Sequence, residues 1–252
     1  MRKKATFVTS PKREPKRFDD FITIVLLCDK AGHRMKSYGP TCLAEIGGHT
    51  LLDRQISSIK SVFSSFEIIL CGGFESEKIT KYIRSRHRET NIRVVENQIY
   101  PHSNCCESSR LCINNTNTNK LLICNGDLML NAEVLSLVNC RKTCIFLEDS
   151  PKTNFEIGVV INEKGGVENL SYGVQNTWAE MIYFNDLGII NSFRKVVSAI
   201  DFKTKFIFEA INELVKAKHQ IHTVTNSGKP IIKIDNIKTY HEVRKSYEST
   251  DT

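Results

Sequence analysis

A chain of 252 residues, 40% hydrophobic and 25% charged, is long enough to bury a sizeable core and has the composition of a globular protein. That composition excludes a fibrous or wholly disordered chain, and no apolar run is long enough to cross a membrane. The net charge of +7 suggests a nucleic-acid partner only until it is located: residues 1–17 carry seven Lys and Arg against the one acid Glu14, which leaves the rest of the chain nearly neutral.

With Pro11 and Pro15 and few apolar residues, 1–18 reads as a disordered basic arm ahead of one folded domain over 19–247. The arm lacks the apolar stretch of a secretory signal; it is a solubilising tail or, alternatively, a tether to nucleic acid or another anionic surface. After it, "FITIVLLC" is a strand, "LLDRQISSIKSVF" a helix, "FEIILC" a strand, "ESEKITKYIRSRH" a helix and "IRVVE" a strand. The rhythm continues with "ESSRLCINN" as helix, "KLLICNGD" as strand, "AEVLSLV" as helix and "CIFLE" as strand. Beyond Asp149, "IGVVINEKGGVENLSYG" predicts a hairpin turning at 163–166, "WAEMIYF" a strand and "KFIFEAINELVKAKH" an amphipathic helix. "QIHTVT" and "PIIKID" add strands before a closing helix at "IKTYHEVRKSY". Alternating strands and helices predict an α/β fold: a single-domain, Rossmann-like mixed sheet with helices on both faces.

The nine cysteines include no C-x-x-C pair, and several end apolar runs. They suit buried, reduced thiols in a cytoplasmic protein rather than a disulfide framework or a zinc site.

Ligands of such sheets sit beyond the carboxyl ends of the strands. Directly after the first strand comes a glycine-bearing loop with Lys30, His33, Arg34 and Lys36, a natural anion cradle. Cys28-Asp29-Lys30-Ala31-Gly32-His33-Arg34-Met35 resembles the A-A-G-x-G-x-R-M of the sugar-phosphate and choline-phosphate nucleotidylyltransferases. Further on, Pro40-Thr41-Cys42-Leu43 with Ile46, Gly48, Leu51 and Leu52 resembles their P-K-x-L-x-x-I-x-G-x-x-L-L, and Cys71-Gly72-Gly73-Phe74 their V-T-G-Y. Asn97, Tyr100, Ser103, Asn104 and Ser108 match N-x-x-Y-x-x-T-N-x-x-x-S, "NGD" ends a strand at Asp127, and Asp235 falls on the aspartate of W-x-E-I-D-T.

The resemblance, which runs in order from Ile22 to Val243, implies a nucleotide-diphospho-sugar transferase-like fold. It implies Mg2+-dependent transfer of a nucleotidyl group from a nucleoside triphosphate to a phosphorylated small molecule, a sugar-1-phosphate or a phosphocholine-like acceptor, with release of pyrophosphate. Asp127 and Asp235 would hold the metal, Arg34 the phosphates, and Cys28, Asp29, Gly32, Gly73, Asn104 and Ser108 would line the nucleotide site. Read singly, Asp127 is equally a turn residue, Asp235 and Asn104 helix caps, Ser108 a capping polar residue, Gly73 a turn glycine and Arg34 a surface ion-pair partner. The phosphate-binding lysine of the family pattern is Thr41 here, and its first loop glycine is Lys30. Either Lys30 compensates as a catalytic cation, or the protein binds a nucleotide without turning it over. Asp29 would serve as an extra metal ligand or pair with Lys30. An acceptor carrying a cationic headgroup would call on Trp178, Glu180, Tyr183 and Phe184. A glycosyltransferase of similar architecture is the remaining alternative, disfavoured by the lone aspartate of "NGD" and by Gly32-x-Arg34.

Overall fold

The computed structural model describes residues 20–32, 35–138, 141–148, 156–226, 228–229 and 231–248, so the expected basic arm, His33, Arg34 and Cys140 lie outside the described residues. The elements run β1 (Ile22–Cys28), β2 (Glu45–Ile46), β3 (His49–Thr50), α1 (Leu51–Val62), β4 (Phe66–Gly72), α2 (Ser76–Arg86), β5 (Ile92–Glu96), α3 (Cys105–Ile113), β6 (Leu121–Asn125) and β7 (Leu128–Met129). They continue with α4 (Ala132–Leu135), β8 (Cys144–Leu147), β9 (Ile157–Ile161), β10 (Val167–Tyr172), β11 (Trp178–Phe184), α5 (Leu187–Val197), α6 (Ile207–Lys216), β12 (His222–Thr225), β13 (Ile232–Lys233) and α7 (Ile237–Glu248).

Seven strands form the central sheet in the order β12-β8-β11-β6-β1-β4-β5. β6, β1, β4 and β5 are mutually parallel, whereas β11 runs antiparallel to both β6 and β8. Both faces are covered, which is why the strands read as continuous apolar runs. Along β1, Ile24 and Leu26 join one core with Leu52, Ile56 and Ile59 of α1 and Ile79 of α2. Val25 and Leu27 point the other way, into a second core with Cys112 of α3, Phe193 of α5 and Ile211 of α6. A third, small cluster gathers Met35, Ile46, Leu51, Met129, Ile234 and Tyr240, and so ties the loop after β1 to β13 and α7. The eight described cysteines form no disulfide. Among the described residues, no helix is long and apolar enough to cross a membrane.

The short strands β2, β3 and β7 were not expected from the sequence, and two further departures bear on the site. Helix α5 is additional: Asp186 caps it by accepting from Ile189 N at 3.0 Å, and Ile189, Ile190, Phe193 and Val197 bury one stripe. The segment "PIIKID" pairs not with the central sheet but with β7, in a separate two-stranded ladder of Ile232 with Met129 and Lys233 with Leu128. That ladder is what brings the far end of the chain to the residues that follow β6.

Candidate functional site

β1, β4 and β6 end level with one another, with Cys28 beside Gly72 and Leu27 beside Asn125. Backbone bonds staple the loops that follow: Gly126 N donates to Leu27 O at 2.8 Å, Asn97 N to Gly72 O at 2.8 Å and Phe74 N to Asp29 O at 2.9 Å. Close approach explains two of the glycines. A Cβ on Gly73 would lie 2.6 Å from the Asp29 carbonyl oxygen, and one on Gly32 would lie 2.8 Å from the Asp235 carbonyl oxygen. Thr41 is buried, and its hydroxyl accepts a 3.0 Å hydrogen bond from Gly32 N. It therefore fixes the loop after β1 from beneath rather than reaching outward as a lysine would.

On one side of that loop lies a polar network. Asn97 Nδ2 donates to the hydroxyls of Ser103 and Ser108, both at 3.0 Å, and all three residues are buried. Asp29 is buried beside them, and its Oδ2 has no hydrogen-bond partner. Burial raises the Asp29 pKa against the opposing hydrogen bond from Ser108 and the charge of Lys30. Lys30 Nζ donates to the carbonyls of Ser103, at 2.7 Å, and Tyr100, at 3.0 Å. Asn104 caps α3 through Oδ1, which accepts from Cys105 N at 2.9 Å.

On the other side lie the carboxylates. Ile234 N donates to Asp127 O at 2.8 Å, extending the β7–β13 ladder by one rung, so that Asp235 comes within electrostatic reach of Asp127 although 108 positions separate them. Asp127 Oδ1 is shielded from solvent and has no hydrogen-bond partner. Burial, opposed by Lys233 and reinforced by Glu180 and Asp235, pushes the Asp127 carboxyl up to about 7. Lys233 Nζ sits 2.5 Å from Glu180 Oε1 and 3.9 Å from Asp235 Oδ2. Burial acts against its charge, but Glu180, Asp127 and Asp235 outweigh it and hold the ammonium firmly protonated. Glu180 also accepts from Asn125 Nδ2. Its backbone is left-handed, with φ of 54°, within an irregularity in the pairing of β11 with β8. An unfavourable conformation for a non-glycine residue is thus maintained where the side chain meets the cluster.

Comparison with solved structures returns proteins that match almost end to end. CTP:phosphocholine cytidylyltransferase from Streptococcus pneumoniae aligns with a TM-score of 0.73 at 13% identity, covering 89% of this chain and 98% of that one. The chain has the nucleotidylyltransferase fold. An inositol-1-phosphate CTP transferase from T. maritima gives a TM-score of 0.70 at 14% identity over 90% of this chain and 96% of its own. A nucleoside-diphosphate-sugar pyrophosphorylase from Vibrio cholerae RC9 gives 0.68 at 15% identity over 88% and 99%. Residues 45–163 match a family model described as a domain of unknown function, DUF6564. Comparison with curated protein sequences returns no match.

On this nucleotidylyltransferase fold, the predicted residues fall into two groups around the loop after β1. Asp29, Lys30, Gly73, Asn104 and Ser108 gather on the side of β4, β5 and α3, while Gly32, Asp127 and Asp235 gather on the side of β6 and β13. Cys28 lies between them as the last residue of β1, with its thiol packed against the backbone of Gly126. Asn104 acts as a helix cap, one of the two roles open to it from sequence. Trp178, Tyr183 and Phe184 are buried in the core, and Trp178 Nε1 donates to Met181 O at 3.0 Å. Of that group, Glu180 alone turns toward the carboxylates. Sequence reasoning gave no role to Lys233, although the glutamate of the W-x-E-I-D-T pattern had become a lysine there.

Among the described residues, no three His, Cys, Asp or Glu side chains are gathered closely enough to enclose a metal ion. The pair at Asp127 and Asp235 suits magnesium nevertheless, because Mg2+ takes one or two carboxylates and completes its shell with water and phosphate oxygens. The unpartnered Asp127 Oδ1 is an oxygen of the kind such an ion engages.

Proposed function

We propose that this protein transfers a nucleotidyl group from a nucleoside triphosphate to a phosphorylated small molecule and releases pyrophosphate. The observation that supports the reading is the backbone bond from Ile234 N to Asp127 O, which brings Asp235 close to Asp127 and to Gly32 beyond the ends of β1 and β6. In-line attack of an acceptor phosphate oxygen on the α-phosphorus brings several negative charges together, so the site must position and neutralise them. Asp127 and Asp235 would hold Mg2+, which when bound supplies positive charge to the triphosphate and to the departing pyrophosphate. Gly32 leaves the loop backbone open to the phosphates, and Arg34 would hold them through its bidentate fork. Asp29, Gly73, Asn104 and Ser108, on the other side of the loop, would bound the site for the base and ribose.

The phosphocholine, inositol-1-phosphate and sugar nucleotides named for the similar structures suggest the acceptors to try first. Purified protein with Mg2+, each of four nucleoside triphosphates, and phosphocholine, inositol-1-phosphate or glucose-1-phosphate should release pyrophosphate with at least one pair. Asp127→Asn should abolish that release. A second reading, nucleotide binding without turnover, is favoured by Thr41, which is bonded to Gly32 N, and by Lys30, which is held by two carbonyls. It predicts nucleotide binding without pyrophosphate in every combination. Thiols that form no disulfide among the described residues suit a reducing, cytoplasmic setting.

A further inference from the structure

The carboxylates at the end of β6 already have a cation among them. Lys233 Nζ lies 2.5 Å from Glu180 Oε1 and 3.9 Å from Asp235 Oδ2, and its charge acts on Asp127 as well. Glu180 and Asp235 face one ammonium, and Asp127 lies within reach of its charge. A divalent ion entering between Asp127 and Asp235 therefore meets a resident positive charge within a few ångströms, and like charges at that separation repel strongly in a partly buried site. Among the described residues, Lys30 is already held by the carbonyls of Tyr100 and Ser103, and Thr41 stands without charge where the family pattern has a lysine. The Lys233 ammonium keeps N–H groups to offer, since among the described residues its one hydrogen bond is to Glu180. Its flexible four-carbon stem is half-buried and leaves the ammonium free to exchange one anionic partner for another.

We propose that Lys233 is a tethered cation of the active site: it stands in for a divalent ion in the free protein and moves onto the nucleotide phosphates when metal and nucleotide bind. The inference rests on the proposed nucleotidyl transfer and adds to it a positioning residue and an order. Metal alone binds weakly because it must face the ammonium; metal with nucleotide binds well because the phosphates accept the displaced charge. The two ligands are then coupled through Lys233, and by reciprocity each strengthens the other by the same factor.

The test uses the full chain and reads binding rather than turnover. Mn2+ affinity is measured by electron paramagnetic resonance without nucleotide and then with each of ATP, CTP, GTP and UTP, for wild type, Lys233→Met and Lys233→Arg. Lys233→Met should bind Mn2+ alone at least about tenfold more tightly and lose most of the strengthening that nucleotide gives, while Lys233→Arg should stay close to wild type on both. Circular dichroism checks the fold, and Lys233→Gln provides the same comparison should the methionine variant not fold. Unchanged Mn2+ affinity in folded Lys233→Met or Lys233→Gln, with normal nucleotide binding, overturns the tethered cation alone. A wild type that binds none of the four nucleotides overturns the proposed nucleotidyl transfer, and the movement onto phosphate with it.

Discussion

Replacing Thr41 with valine isolates the role the structure gives it. The two side chains are close in volume, so the change leaves little cavity, but it removes the acceptor 3.0 Å from Gly32 N in a residue that is 4% exposed. A buried donor left without a partner costs about 1–3 kcal/mol. For a domain of this size each kcal/mol lowers the melting temperature by about 2–4 °C, so the middle of that range corresponds to roughly 4–8 °C. Because the bond holds the loop after β1, nucleotide affinity should fall as well. Urea and thermal unfolding can be followed through the single tryptophan, Trp178, which is buried in the core. Thr41→Ser, which keeps the hydroxyl, should lose much less stability, and Thr41→Lys should loosen the loop for the same reason valine does. Were Thr41→Val as stable as Thr41→Ser, the hydroxyl would not be anchoring the loop and the reasoning would fail.

Asp127→Asn and Asp235→Asn should each lower pyrophosphate release by at least about a hundredfold, a loss of several kcal/mol of charge stabilisation, and weaken Mn2+ binding measured directly. Gly73→Ala places a methyl group 2.6 Å from the Asp29 carbonyl oxygen, a backbone clash expected to cost about 1–3 kcal/mol in denaturant unfolding and to weaken nucleotide binding. Burial pushes the Asp53 pKa upward, but hydrogen bonds with Tyr82, Thr50 and His87 prevail and hold it below the ordinary 3.8. The folded state thus favours the ionised carboxylate, so its contribution is complete well above pH 4 and is lost as pH falls through the depressed value. Asp53→Asn should flatten the acid limb of a stability-versus-pH curve and lower stability at pH 7.

Strand β1 was legible because burial on both sides makes every position apolar, and α1 because Thr50 and Asp53 form a capping box ahead of an apolar stripe. Helix α5 carries signals of the same kind, Asp186 followed by Ile189, Ile190 and Phe193, but they lie in a stretch where strand and loop residues precede them closely. The partner of β13 could not be read from "PIIKID": which strand a short apolar run pairs with is decided by tertiary contacts, not by its own pattern. The motif residues fall on both sides of the loop after β1: Cys28 and Gly73 end or directly follow strands, whereas Asn104 caps α3 and Ser108 lies within it. Lys233 was not legible, and Glu180 was read for a cationic headgroup rather than for its pairing with Lys233, since that pairing comes from side chains that meet across β11 and β13. Thr41 read as the loss of a cation, whereas in the fold it is an anchor for Gly32.

The most direct measurement is a crystal structure with Mn2+ and a nonhydrolysable nucleoside triphosphate, located by the anomalous signal of the metal. The account predicts one Mn2+ in contact with the carboxylates of both Asp127 and Asp235, with the triphosphate against the backbone at Gly32. A nucleotide bound away from the ends of β1 and β6, or a metal touching neither aspartate, would contradict it.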